Sequence, residues 1–384
     1  MIVISSKKPR AMIIYQRYYD FDTNRVVSGG VQTYISNLAL ILDETGYECK
    51  VFQFGETNQA NEIRLEYCTV KCVPSTKVSG IYDTKKIIDY VNVDFDCNKD
   101  LLIFADHILV QKNNAKYSLS IQHGIHWDIC KEKSRKDYRM FLSKAFFAYC
   151  EHKRMKYIKQ VVCVDYNFLN WYRAQVDVPN GKCTVIPNYT KIAKLNIKPN
   201  DKVKVIFARR FVKHRGTRIF VEAIERILSE YEDVEVTVAG RGPDEEFLHN
   251  RLDKWLNRVV ITQYAAEQSL DIHADKHIAV VPTVGSEGTS LSLLEAMSSQ
   301  CAVICTDVGG MTNIILNNYN GKMIPAGSVN QLYLAIKELI DDPEKRKRMA
   351  MTGYESVKYA FSYERWANQW REIIKHIKME NSID

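Results

Sequence analysis

Ser286-Glu287-Gly288-Thr289-Ser290-Leu291-Ser292-Leu293-Leu294-Glu295-Ala296-Met297, followed by Ala302-Val303-Ile304-Cys305-Thr306-Asp307-Val308-Gly309-Gly310, decides how this chain folds. An apolar strand, His277–Val281, leads into it. A glycine turn, an amphipathic helix over 290–299, a second apolar strand and another glycine turn follow. That alternation is the mark of a parallel sheet wound with helices. Gly288-Thr289-Ser290 offers backbone amides at the helix start, and Glu295 lies two turns in, on the same side as that start. Helix-start amides can hold phosphate, and carboxylates can accept hydrogen bonds from sugar hydroxyls. Out of context, the same residues are an N-capped helix with two surface acids.

Outward from this stretch the alternation repeats. In the second half, strands Val203–Ala208, Val234–Ala239, Val259–Thr262 and Ala302–Thr306 alternate with helices over 216–230 and 243–252. In the first half, strands are expected at Ala11–Tyr15, Cys49–Phe54, Leu101–Ala105, Tyr117–Gln122, Val161–Asp165 and Thr184–Pro187. Val31, Tyr34, Ile35, Leu38, Ile41 and Leu42 share one helical face, closed by Gly46. Ser328 with Gln331, and Asp342-Pro343, mark two further helix starts. Residues 190–202 are polar, weakly periodic and contain a proline, as an interdomain linker would. The expectation is an α/β chain of two doubly wound Rossmann-like domains, 1–195 and 196–361, facing across a ligand-binding cleft. A last helix over 362–384 is long enough to return to the first domain.

With 384 residues, 46% of them apolar and 26% charged, the chain is an ordinary globular protein, not a collagen, disordered or disulfide-framework sequence. Neither a membrane-spanning run nor a leader-like apolar stretch is evident, so a cytoplasmic location is expected. The ten cysteines form no Cys-x-x-Cys pair and mostly sit in apolar runs, as buried small hydrophobes do. Gly240-Arg241-Gly242-Pro243 begins like a dinucleotide fingerprint but has Glu245 in place of the third glycine, and reads as a tight turn into a proline-started helix. Gly29-Gly30 ahead of a helix could face an anion. The Asp-x-Asp pairs Asp20/Asp22 and Asp94/Asp96 follow no apolar strand directly, and no metal is expected.

Glu287 through Met297 with Ala302 through Gly310 resembles the donor-site signature of the family-4 retaining glycosyltransferases of the GT-B fold. Phe207-Ala208-Arg209-Arg210-Phe211-Val212-Lys213-His214-Arg215-Gly216, Val185-Ile186-Pro187-Asn188, Gly240–Pro243, Gly29-Gly30 and Phe361–Trp366 resemble further segments of that family, in order. The resemblance implies an enzyme that transfers a sugar, with retention and without metal or cofactor, from a nucleotide sugar, UDP-linked in preference to GDP- or dTDP-linked. Arg210 and Arg215 would clamp the diphosphate, with Lys213 as alternative to Arg215, because the family carries Lys at that place and Gly where Arg209 stands. Glu295 would hold the ribose, and Glu287 with the amides of Gly288, Thr289 and Ser290 the sugar and phosphate. Gly29, Gly30 and Asn188 complete the donor site. His123 in Gln122-His123-Gly124 matches the active-site histidine, with His126 as alternative. A nucleotide-sugar epimerase of the same fold, and a nucleic-acid-binding or DNA-glucosylating protein, are the rival readings.

The charge is lopsided. Residues 131–160 hold ten Lys or Arg against three acids, a net +7 that equals the charge of the whole chain. Tyr138, Phe141, Leu142, Ala145 and Tyr149 share a helical face, which is expected to pack on the sheet. Arg135, Lys136, Arg139 and Lys144 flank it. A basic rim beside aromatics suits an anionic membrane surface, as a lipid-linked acceptor would require; the acceptor expected is a saccharide or a lipid-linked saccharide, in surface polysaccharide or glycolipid synthesis. No nucleic-acid-binding module accompanies the patch.

Overall fold

The computed structural model describes residues 8–382, apart from 56–60, 75–76, 79–80, 83, 126–137, 196–197, 199–201 and 286. His126, Arg135 and Lys136 lie outside the described residues, as does the side chain of Arg139.

Two sheets carry the chain. The first contains β1 (Arg10–Tyr15), β2 (Glu48–Gly55), β3 (Glu62–Arg64), β4 (Thr69–Pro74), β5 (Leu101–Phe104), β6 (Tyr117–Gln122), β7 (Gln160–Cys163) and β8 (Cys183–Val185). Their order is β8-β7-β6-β5-β1-β2-β4-β3, parallel except for the edge pair β3/β4. The second contains β9 (Val203–Ala208), β10 (Val234–Ala239), β11 (Val259–Thr262), β12 (Ile278–Val281), β13 (Ala302–Thr306) and β14 (Lys322–Ile324), in the order β11-β10-β9-β12-β13-β14, all parallel. Each sheet has apolar cores on both faces, which is why central strands such as β13 read as unbroken apolar runs.

Helix α1 (Gly30–Glu44) buries the face the periodicity marks out: Tyr34, Ile35, Leu38, Ile41 and Leu42. Helices α2 (Thr84–Asn92), α3 (Tyr138–Met155) and α4 (Tyr166–Arg173) complete the first layer system, and α5 (Thr217–Glu230), α6 (Glu245–Leu252), α7 (Leu291–Ser298), α8 (Val329–Asp341) and α9 (Pro343–Ala360) the second. Ser328 Oγ accepts the Gln331 N–H at the start of α8, and Asp342 accepts the Lys345 N–H at the start of α9. At α6 the cap is Asp244, so Pro243 precedes the helix and does not occupy its first turn. The glycines ahead of it serve packing: a Cβ on Gly240 would run into the Arg209 carbonyl.

The last helix, α10 (Tyr363–Ser382), crosses back. Trp366, Trp370, Ile374 and Ile377 join the first domain's core, and the Trp370 indole N–H donates to Tyr34 Oη at 2.9 Å. The two crossing segments touch, with the Thr190 N–H donating to Phe361 O at 3.0 Å. Residues after Thr190 are not a loose tether. Ala193 N–H donates to Ser298 Oγ, and the Lys198 ammonium donates to the carbonyls of Ser299 and Gln300 at 2.8 and 2.7 Å. A cation on the carbonyls just past the end of α7 offsets the helix's negative end. The polarity that reads as linker is spent on fastening the strap.

The expectation for α3 fails. Phe141, Leu142 and Tyr149 do not pack on the sheet but are 71%, 59% and 64% exposed. Among the described side chains of α3, those fully buried are Glu151 and Met155 in its C-terminal turns. Cys97 also departs from the buried-thiol reading and is exposed.

Candidate active site

In each sheet the strand order reverses once: between β1 and β5, and between β9 and β12. Ligands of doubly wound sheets bind beyond the carboxyl ends of strands at such points. Here the two reversals face each other.

In the second domain, Arg209 leaves the end of β9 and Thr283 follows β12, so the reversal brings them side by side. The Arg209 guanidinium bonds the Thr283 hydroxyl and pairs with Glu287 at 3.0 Å. Arg215 contacts the same carboxylate oxygen. It arrives on a short 3₁₀ turn, Lys213–Arg215, closed by Gly216 at φ +80°, where a side chain would strike the Pro282 carbonyl. Gly216 is therefore needed twice over, for its left-handed backbone and for close approach. Glu287 thus sits between two guanidiniums, with the side chains of Arg209 and Glu287 only 5% and 9% exposed. Burial pulls Arg209 down to about 10, and burial with the charges of Arg209 and Arg210 pulls Arg215 down to about 9. Both remain cationic at neutral pH.

Arg210, which the sequence pairs with Arg215, is exposed and close enough for its charge to act on Arg215, while the partner of Glu287 on this strand end is Arg209. Two arginines adjacent at a strand end cannot be ranked by spacing.

Glu287 and Gly288 lie against the first domain. Gly124 has φ +120° and sits so near Gly288 that a Cβ on either would crowd the other's backbone or that of His123. Thr289 Oγ1 donates to the Val164 carbonyl, and Asn188 Nδ2 donates to the Thr289 carbonyl at 3.0 Å. Ser290 is the N-cap of α7 but makes no side-chain cap, so that helix start keeps its amides for other acceptors. Gly29 and Gly30 open α1 opposite, with Gly30 against Leu291, the first residue of α7.

His123 follows β6. Its Nε2 lies 2.8 Å from the Ala105 carbonyl, which can only accept, so Nε2 carries the proton and Nδ1 is the acceptor. Tyr34 meets the imidazole edge-to-face at 5.5 Å and is itself held by Trp370, so α10 braces this histidine from behind. Burial lowers the His123 pKa, against the opposing charge of Asp106, and keeps the ring neutral at pH 7. Tyr34 and Thr283 escape sequence reasoning because both read as core or strand-end residues.

Glu295 projects from α7 into a cavity of about 850 Å³ between the domains, lined also by Gly29, Gly30, Asn188 and Ser269. Burial pushes its carboxyl up to about 7, opposed by the Ser269 hydroxyl and the Arg209 charge. The Asp-x-Asp pairs are turn formers: Asp20 accepts the Asp22 and Thr23 N–H groups, and Asp96 accepts that of Asn98. Among the described residues no three His, Cys, Asp or Glu side chains gather as a metal site would need.

Two Rossmann-like domains with a site between facing reversals, closed by a returning C-terminal helix, define the GT-B fold of glycosyltransferases. Residues 188–356 match the family model described as Glycosyl transferases group 1. The phosphatidyl-myo-inositol mannosyltransferase of Mycolicibacterium smegmatis is 23% identical over 178 residues, 44% of each chain, so the match spans less than half of that relative. Sucrose-phosphate synthase from Thermosynechococcus elongatus superposes over 97% of this chain and 100% of its own, with a TM-score of 0.74 and 16% identity. Anabaena HepE, solved in complex with UDP-glucose, superposes over 96% of this chain and 99% of its own, with a TM-score of 0.71 and 14% identity.

Proposed function

We propose that the protein transfers a sugar from a nucleotide sugar to a saccharide or lipid-linked saccharide, with retention of configuration and without a metal or cofactor. The observation that carries this reading is the Arg209–Glu287–Arg215 cluster at the uncapped start of α7, directly across from His123. A diphosphate placed there meets two cations and a helix's positive end, which stabilise charge as it develops on the leaving group. The sugar C1–O bond to phosphate breaks as the bond from C1 to the acceptor oxygen forms on the same face. The acceptor's proton passes to the departing phosphate oxygen. Glu287, released from one guanidinium by the incoming phosphate, and His123 Nδ1 accept hydrogen bonds from the sugar hydroxyls and orient the ring. Glu295 and the cavity around it suit the ribose. UDP is the favoured nucleotide, in keeping with the UDP-glucose complex of the HepE neighbour. We take the acceptor to be presented at the cytoplasmic face of a membrane, in surface polysaccharide or glycolipid synthesis.

The test is a thermal-shift panel of UDP-, GDP- and dTDP-sugars, followed by NMR of the product with and without saccharide acceptors. A true donor raises Tm by mass action. A retained anomeric configuration in an acceptor-dependent product supports the proposal. A flat panel overturns it, and an isomerised nucleotide sugar formed without acceptor replaces it with epimerisation.

A further inference from the structure

We infer that the outward face of α3, built from Phe141, Leu142, Phe146 and Tyr149, docks on an anionic lipid bilayer. This deepens the membrane part of the proposed function and rests on it for biological sense, though not for its test. The four side chains are 71%, 59%, 62% and 64% exposed. At 100° per residue, they and Ala145 fall within about 140° of arc. The buried Glu151 and Met155 project outside that arc. Side chains of this size, so exposed, present an apolar patch on the order of 500 Å², at the upper end of what monomers leave uncovered.

The face is not the flank of a loosely seated helix. Glu151 is buried and faces His107 Nε2 at 3.0 Å, while its other oxygen pairs with Arg154 at 2.5 Å. The same imidazole uses Nδ1 to bond Ser120 Oγ at 2.7 Å. Ser120 lies on β6, three residues before His123. The C-terminal half of α3 is therefore moored to the strand that carries the cleft histidine, and the mooring sets the apolar face outward.

Charge selects the occupant. Residues 141–159 contain five Lys or Arg and a single acid, Glu151, which is buried and paired. Lys144 and Lys153 are exposed beside the apolar stripe. Two copies of this face would repel one another. An anionic headgroup layer takes the cations while its acyl boundary takes the rings, as interfacial helices do.

The experiment is co-sedimentation of the full chain with phosphatidylcholine vesicles, with and without phosphatidylglycerol, at low and high salt. Wild type pellets with phosphatidylglycerol vesicles at low salt and is released by salt. Phe141→Ser with Phe146→Ser lowers partitioning at least about tenfold, and Phe141→Trp with Phe146→Trp restores it. Lys144→Gln and Lys153→Gln each lower it roughly fivefold. Because all these positions are exposed, melting curves stay at the wild-type temperature. The inference is overturned if wild type remains in the supernatant under every condition, or if the double Ser variant pellets like wild type. It is also overturned if wild type does not pellet and sediments as a dimer that the Ser variant dissociates, which would make a second copy the occupant. Transfer to a soluble saccharide is measured in parallel: its absence in wild type counts against the proposed activity and leaves the vesicle result standing.

Discussion

Arg209→Ala separates the structure's assignment from the one the sequence invites. The substitution removes a guanidinium that is 5% exposed and leaves Glu287, 9% exposed, with Arg215 and the Thr283 hydroxyl. Breaking a buried ion pair by deleting one partner costs about 3–5 kcal/mol, because the surviving charge stays buried. Arg215 still contacts the carboxylate, so the low end, about 3 kcal/mol, applies here. For a domain of this size that corresponds to roughly 6–12 °C in Tm. Arg210→Ala, at an exposed position, should stay within about 0.5 kcal/mol of wild type. Melting curves of both variants, with calorimetric titration of UDP, make the comparison. Loss of a charged hydrogen-bond donor to phosphate adds about 1.5–3 kcal/mol of lost binding for Arg209→Ala, a ten- to 150-fold weaker Kd. The reasoning is refuted if Arg209→Ala melts and binds like wild type while Arg210→Ala loses both.

Arg215→Ala should lower turnover by orders of magnitude, and Arg215→Lys should recover much of it, since the phosphate needs a cation there more than a fork; dependence on Lys213 instead would show that the clamp lies two residues earlier. Glu295→Ala should weaken binding of the nucleotide sugar by about 1.5–3 kcal/mol, read by calorimetry, because ribose hydroxyls lose a charged acceptor. The pH dependence follows from the raised carboxyl of Glu295, which sits at about 7 in the free protein and is stabilised as carboxylate by the ribose. Affinity should therefore rise as pH climbs through 7, by about tenfold between pH 6 and 8, and level off above; a nucleotide sugar is the right ligand because its diphosphate loses no proton in this range. Glu295→Gln should give a flat profile, and a flat profile in wild type would remove Glu295 from the ribose. Treatment with a chelator should leave turnover unchanged, whereas loss restored by manganese would revive a metal role for an Asp-x-Asp pair.

Local pattern carried a good deal of this protein. The six-residue apolar face of α1, the strand runs of both halves and the caps at Ser328 and Asp342 are legible because helix and strand periodicities are local consequences of backbone geometry. Strands β3, β4 and β14 were not: β3 and β14 have three residues each, too few to show a period, and in β4 a lysine interrupts the apolar run of Val70, Cys72 and Val73. The stripe on α3 was visible, but its direction was not, because periodicity says which residues share a face and nothing about what lies opposite.

The sequence by itself determined the α/β alternation, the pair of domains and the loop-and-helix segment from Glu287 to Glu295, all of which depend on residues near one another in the chain. Tertiary structure alone decided which arginine pairs with Glu287, because Arg209 and Arg210 are adjacent in sequence and spacing does not rank them. It also decided that His123 stands neutral against Tyr34, braced by a tryptophan from the far end of the chain. It turned the aromatic face of α3 outward, through a buried glutamate reaching a histidine on another element. Contacts across tens to hundreds of residues leave no periodic trace in the sequence, and the orientation of every side chain in the cleft is set by such contacts.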